Sequence, residues 1–139
     1  MDRYKALGRV LCDQTVSNSS KVLYKVPLPT QFEVTDTGPR TDATVLYTIV
    51  SSIIVCNQHN AASDFSIAVR EDDSAATPTT TDWIFFKTEV AANSTMIINP
   101  GITLPGVPSG TTGVDGADIF VVADTFTFSF HAYGVEVTQ

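Results

Sequence analysis

Thr125–His131 reads TFTFSFH, and its alternation decides the fold class. Phe126, Phe128 and Phe130 fall on one phase; Thr125, Thr127, Ser129 and His131 fall on the other. A period of two is that of a strand with one face buried. From Tyr133 the apolar phase passes to Tyr133, Val135 and Val137, which predicts a β-bulge at Gly134. Upstream, DFSIAVR (Asp64–Arg70) alternates in the same way, with Phe65, Ile67 and Val69 on one face. VLYTIVSSIIVC (Val45–Cys56) is apolar in both phases, which predicts a central strand covered on both faces or passing between layers.

Shorter strand text fills the rest: KVLYKV (Lys21–Val26), WIFFK (Trp83–Lys87), STMIIN (Ser94–Asn99), Ile102–Leu104 and IFVVA (Ile119–Ala123). Tyr4–Cys12 reads as a first strand or an arm. Composition agrees, since 16 Val, 9 Ile and 19 Thr stand among 139 residues, and branched side chains pack better on a pleated sheet than in a helix. The expected architecture is all-β: one antiparallel β-sandwich, jelly-roll-like, of about seven or eight strands spanning residues 1–139. Residues 1–20 are expected to form a basic N-terminal strand or arm. Its core should hold Tyr24, Ile49, Ile53, Val55, Phe65, Ile67, Val69, Phe85, Ile97, Phe126, Phe128 and Phe130.

Three stretches break the pattern. Gly38-Pro39 centres the turn-like Thr35–Ala43, and SAATPTTT (Ser74–Thr81) is low-complexity text expected to be an exposed loop. Pro105–Asp118 holds four Gly and two Pro in fourteen residues and is the expected functional protrusion. Within it Gly106, Ser109, Gly110, Gly113 and Asp115 are the exposed-loop candidates.

Net charge is −7, which argues against nucleic acid as a partner. The charge is unevenly placed. Through residue 25 five bases face two acids, whereas beyond it three bases face thirteen acids. The basic end makes Arg3, Lys5 and Arg9, flanked by Tyr4, Leu7 and Val10, the partner-facing candidates, with apolar burial giving attachment and charge guiding approach. No apolar run is long enough to span a bilayer, and MDRYKALGRV carries charge without an apolar block behind it, so no membrane and no secretory signal are expected. Cys12 and Cys56 are therefore expected as thiols in a reducing compartment, Cys56 as a buried small hydrophobe.

Chemistry-bearing constellations are thin. His59 and His131 stand in no nucleophile motif, and the two cysteines have no companions at zinc-ligand spacing, so neither a catalytic residue nor a metal or cofactor is expected. Glu71-Asp72-Asp73 and Asp115 with Asp118 read as solvated loop charge rather than a carboxylate pair or a calcium loop. Trp83, Phe85 and Phe86 could form a ligand platform, but strand geometry lets at most Trp83 and Phe85 share a face, and core packing against Phe128 and Phe130 is the preferred reading.

LYKVP, TIVSSIIVCNQ, FSIAVRED, AANSTMIINPGITL and FTFSFHAYGVEV, in that order, resemble a family of small structural proteins of tailed bacteriophages. SSIIVCNQ followed by AVR is the most specific part, and Leu7-Gly8-Arg9 stands where members carry an LGQ-like strand. The loops around Gly38, Pro78 and Gly110 depart from the shorter family pattern. The resemblance implies a non-enzymatic virion component, made in the host cytoplasm. Two roles follow. One is a head decoration or cement protein, self-associated as a homotrimer on the major capsid protein. The other is a tail, neck or fibre module binding a host receptor or glycan through its loop rim.

Overall fold

Phe128 and Phe130 sit fully buried at the start of the C-terminal strand, and the sheet grows outward from them. The computed structural model describes residues 3–12, 19–27, 45–71, 77–107, 116–124 and 127–138. Nine strands and no helix occur among them: β1 Arg3–Cys12, β2 Ser19–Lys25, β3 Val45–Asn57, β4 Ser63–Arg70, β5 Trp83–Val90, β6 Thr95–Ile98, β7 Ile102–Pro105, β8 Asp118–Ala123 and β9 Phe128–Thr138. Two antiparallel sheets result. Sheet A runs β1-β9-β3-β6, with β7 also on β3, and sheet B runs β2-β8-β4-β5.

β6 and β7 pair with opposite ends of β3 and act as one edge strand interrupted at Asn99-Pro100-Gly101. With those two merged, the chain folds back on itself like one long hairpin. β1 pairs with β9, β2 with β8, β3 with β6–β7, and β4 with β5. Wrapped so that β9 also meets β3 and β8 meets β4, this is the jelly roll. The expected sandwich is present, and the strand count exceeds the expectation because Ile102–Pro105 stands apart from β6.

Phe65 is the hub of the core, its ring centroid 6.0–6.4 Å from those of Phe85, Phe128 and Phe130. Tyr24, Ile53, Val55 and Ile67 are buried as expected, and Val69 and Phe85 pack partly buried against them. Phe126 lies outside the described residues. Ile49 and Ile97 are corrections. They are 36% and 64% exposed, because both point to the outer face of sheet A. The double-phase text of β3 has the same cause. An extra residue at Ser51 shifts its inward phase from Thr48 and Val50 to Ile53, Val55 and Asn57, while Leu46, Tyr47 and Ile49 stay exposed. The strand covered on both faces is instead β4, where Ser66, Ala68 and Arg70 are buried along with Phe65 and Ile67.

The predicted bulge in β9 is also corrected. β9 keeps one phase throughout, and the extra residues lie in its neighbours, at Leu7 in β1 and Ser51 in β3. Gly134 remains necessary for a different reason: a Cβ there would fall 2.0 Å from the Ile49 carbonyl oxygen and 2.9 Å from the Leu7 side chain. Gly8 does the same at the closed corner of the sandwich, where a Cβ would meet the Leu23 carbonyl oxygen at 2.0 Å. Residues 3–12 therefore form a full strand of sheet A, locked against β2, and not a separate arm.

Candidate functional site

Sheet A turns a broad apolar face to solvent, set by register. Tyr4, Val135, Ile49 and Thr103 align across the four strand positions, as do Arg9, His131, Ile54 and Ile97. Val137, Tyr47 and Pro105 extend the face at one end, and Leu11, Ser129, Cys56 and Thr95 complete it at the other. None of these residues is an acid, in a chain with 15 Asp and Glu against 8 Lys and Arg. Strand spacing and rise give the face a footprint of about 20 by 27 Å, roughly 500 Å² before side-chain relief. That is the size of the largest apolar patch on a typical monomer, which is often functional. Arg9 and His131 border a depression of about 280 Å³ at its β1 edge, the one polar notch in these rows.

The partner-facing candidates separate in space. Tyr4 and Arg9 point outward onto this face, whereas Leu7 and Val10 pack against the core. Lys5 lies on the inward phase and makes an ion pair with Glu136. Arg3 belongs to β1, in register with Glu136. Of the loop candidates, Ser109, Gly110, Gly113 and Asp115 lie outside the described residues. Gly106 is not a protruding residue: its N–H donates to the Leu46 carbonyl at 2.9 Å, and a Cβ there would meet the Val45 carbonyl oxygen at 2.0 Å. Asp118 is likewise corrected. It is fully buried on β8, accepting from Arg70 Nε at 2.8 Å and from Arg70 Nη2, with the guanidinium 4.9 Å over the Phe120 ring.

A polar clasp joins the two sheets at one end. The Tyr24 hydroxyl donates to Glu136 Oε1 at 2.8 Å, which leaves Thr48 Oγ1, 2.9 Å away, to donate to it. Burial holds the Tyr24 phenol well above its usual range; the bond from Thr48 works the other way, and Glu136 raises it further. At the opposite end buried Asn57 shapes the turn that carries His59. Its Nδ2 donates to the carbonyls of Ala61 and Val90 at 2.9 and 3.1 Å, and its Oδ1 accepts the His59 N–H at 3.0 Å. His59 Nδ1 accepts the Ala61 N–H at 3.2 Å, so this imidazole serves the turn, while His131 faces outward between Arg9 and Ile54. Cys12 is buried and Cys56 only half-buried on the outer face, and no disulfide joins them.

The aromatic expectation is overturned on sheet B. β5 carries extra residues at Ile84 and around Lys87, the latter at φ +48°. The first sends Trp83 outward while Phe85 turns in against Phe65, so Trp83 meets Phe86 and not Phe85, edge-to-face at 5.6 Å. With Phe120 and Val122 these rings wall a cleft of about 280 Å³, rimmed by Thr77 and Pro78. The rim is held by a turn in which Thr79 donates its N–H and its hydroxyl to Asp82 Oδ2 at 2.7 and 3.0 Å.

Among the described residues no three His, Cys, Asp or Glu side chains gather to hold a metal ion, and no helix is long and apolar enough to cross a membrane. No protein-family model, curated protein or solved structure matches the chain.

Proposed function

We propose that this chain is a non-enzymatic structural component of a tailed-bacteriophage virion, a homotrimer that decorates the head by binding the major capsid protein. The observation that carries the self-association is the acid-free apolar outer face of sheet A. In a chain of net charge −7 it is where two copies can approach without opposing carboxylates. At roughly 500 Å² per copy, about 1,000 Å² over both, its footprint stands at the small end of specific interfaces. The jelly roll itself recurs in viral capsid and lectin domains, which fits the reading by analogy of fold alone. Particle attachment follows from many copies bound across subunit junctions, where mass action stabilises the shell.

Sedimentation equilibrium tests the first half. The expected mass is a threefold multiple of 14.9 kDa, and Ile97→Asp, at a 64% exposed position, should release monomers that keep the wild-type far-ultraviolet spectrum. A monomeric wild type at roughly 100 μM would remove the support from this face. Copy number per particle tests the second half: hundreds indicate a head lattice, and a handful following tail symmetry indicates the tail, neck or fibre module instead.

A further inference from the structure

We propose that the cleft on the outer face of sheet B, walled by Trp83, Phe86 and Phe120, binds one neutral saccharide ring. The inference does not rest on the assembly reading, because it concerns the opposite side of the sandwich.

The first argument is the arrangement of the rings. Trp83 and Phe86 are three residues apart, so a regular strand would send them to opposite faces. The extra residue at Ile84 brings them to one face, at 5.6 Å and an interplanar angle of 61°. A non-glycine residue at φ +48° is held at a cost of about 1–3 kcal/mol, and such strain gathers where a side chain is being aimed. Here the Lys87 N–H is anchored on the Ser66 hydroxyl at 3.0 Å, and Ser66 is buried in the cleft floor. Phe86, next to the inward-facing Phe85, faces outward and is 62% exposed.

The second argument is the chemistry of the walls. Aromatic faces carry negative quadrupole density and attract the positively polarised C–H face of a pyranose. Around them stand the hydroxyls of Ser20 and Ser66, the Asp124 carboxylate and the Lys87 ammonium, all able to engage sugar hydroxyls. Among the described lining residues one acid meets one base, a balance that suits an uncharged polyol. A nucleotide or anionic lipid would find a single cation among them, on an acidic chain. The volume, about 280 Å³, lies at the small end for ligand sites and matches one ring rather than a chain of them. A ligand of about a dozen heavy atoms at ordinary efficiency binds with a Kd on the order of 1 mM.

Trp83 is the only tryptophan, so its fluorescence reports on the cleft directly. The full chain is titrated with the methyl glycosides of glucose, galactose, mannose and N-acetylglucosamine. At least one should give a saturable change in emission near the millimolar range, weakened about tenfold or more in Phe86→Ala and in Asp124→Asn. Ile97→Asp, on the other sheet, should leave that affinity unchanged. Phe86 is exposed, so its variant keeps the fold, and matching thermal melts verify this. No saturable change with any of the four up to about 100 mM would overturn the proposal, as would equal affinity in both cleft variants.

Discussion

Asp118→Asn is the sharpest probe of the packing that supports sheet B. Asp118 is wholly buried and Arg70 nearly so, and the carboxylate takes two hydrogen bonds from one guanidinium. At about 4 Å and an effective dielectric near 20, the charge attraction is about 4 kcal/mol. The amide removes that attraction and weakens both hydrogen bonds that Asp118 accepts from the guanidinium, in a site with little water. Stacking on Phe120 remains and keeps about 0.5–2 kcal/mol. The net loss should be about 3–5 kcal/mol, the usual cost of breaking a buried pair from one side. Against a total stability of about 5–15 kcal/mol this is large, and for a chain of this size it lowers Tm by roughly 10 °C. Urea unfolding followed by circular dichroism measures it. Arg70→Met with Asp118→Leu, which removes both charges, should recover most of the loss, since neither charge then has to be taken out of water. A single-variant loss below about 1 kcal/mol, or a double variant no better than the single, would refute the claim that the pair is dry and mutually dependent.

Phe65→Ala should destabilise by about 3–5 kcal/mol in the same assay, because it empties the centre of a cluster of three other rings. Tyr24 predicts an alkaline effect. Below pH 10.0 its phenol is neutral in both states and its contribution is complete; above it the unfolded chain loses the proton first, so stability falls as pH rises. Wild type should therefore lose up to about 1.4 kcal/mol per pH unit more steeply than Tyr24→Phe above pH 10, and parallel slopes would contradict the burial of this hydroxyl.

Period-two text identified β4 and the start of β9, because those strands turn one face of large side chains to the core, and β8 was legible as a short apolar run. It misjudged Ile49 and Ile97 for a physical reason. An apolar residue on an outer face carries the same signal as one in the core, and whether the chain covers that face is a tertiary fact. The same ambiguity made β3 look buried on both sides and made Tyr133–Val137 look like a slip of β9. Bulges add a second blind spot. Gly8 adjoins the extra residue at Leu7 and Gly134 stands on the strand beside Ser51, but no glycine lies next to the one at Ile84. Trp83 and Phe86 were thus brought together by an insertion the sequence leaves unmarked. Arg70 and Asp118 are joined only through the β4–β8 register, across 48 residues of chain.

The two outer faces differ in a way that makes their proposed roles compatible. The face of sheet A has no carboxylate among its described rows, and its one depression lies at the β1 edge, so its centre suits a broad contact between copies. The face of sheet B is covered in part by its own turn and keeps one small mixed cleft. Because the core lies between them, a copy seated on sheet A leaves the Trp83–Phe86 cleft open. A millimolar site on a monomer would hold little at the surface of a cell. Three such sites on one trimer, or many on one particle, convert later contacts into intramolecular ones and raise avidity by about 10²–10⁴ without altering a single residue of the cleft. Weak affinity per copy is then no argument against the saccharide site. Saccharide-coated surfaces should retain the oligomer and release the Ile97→Asp monomer, although both have identical clefts, and equal retention of the two would show that assembly contributes nothing to binding.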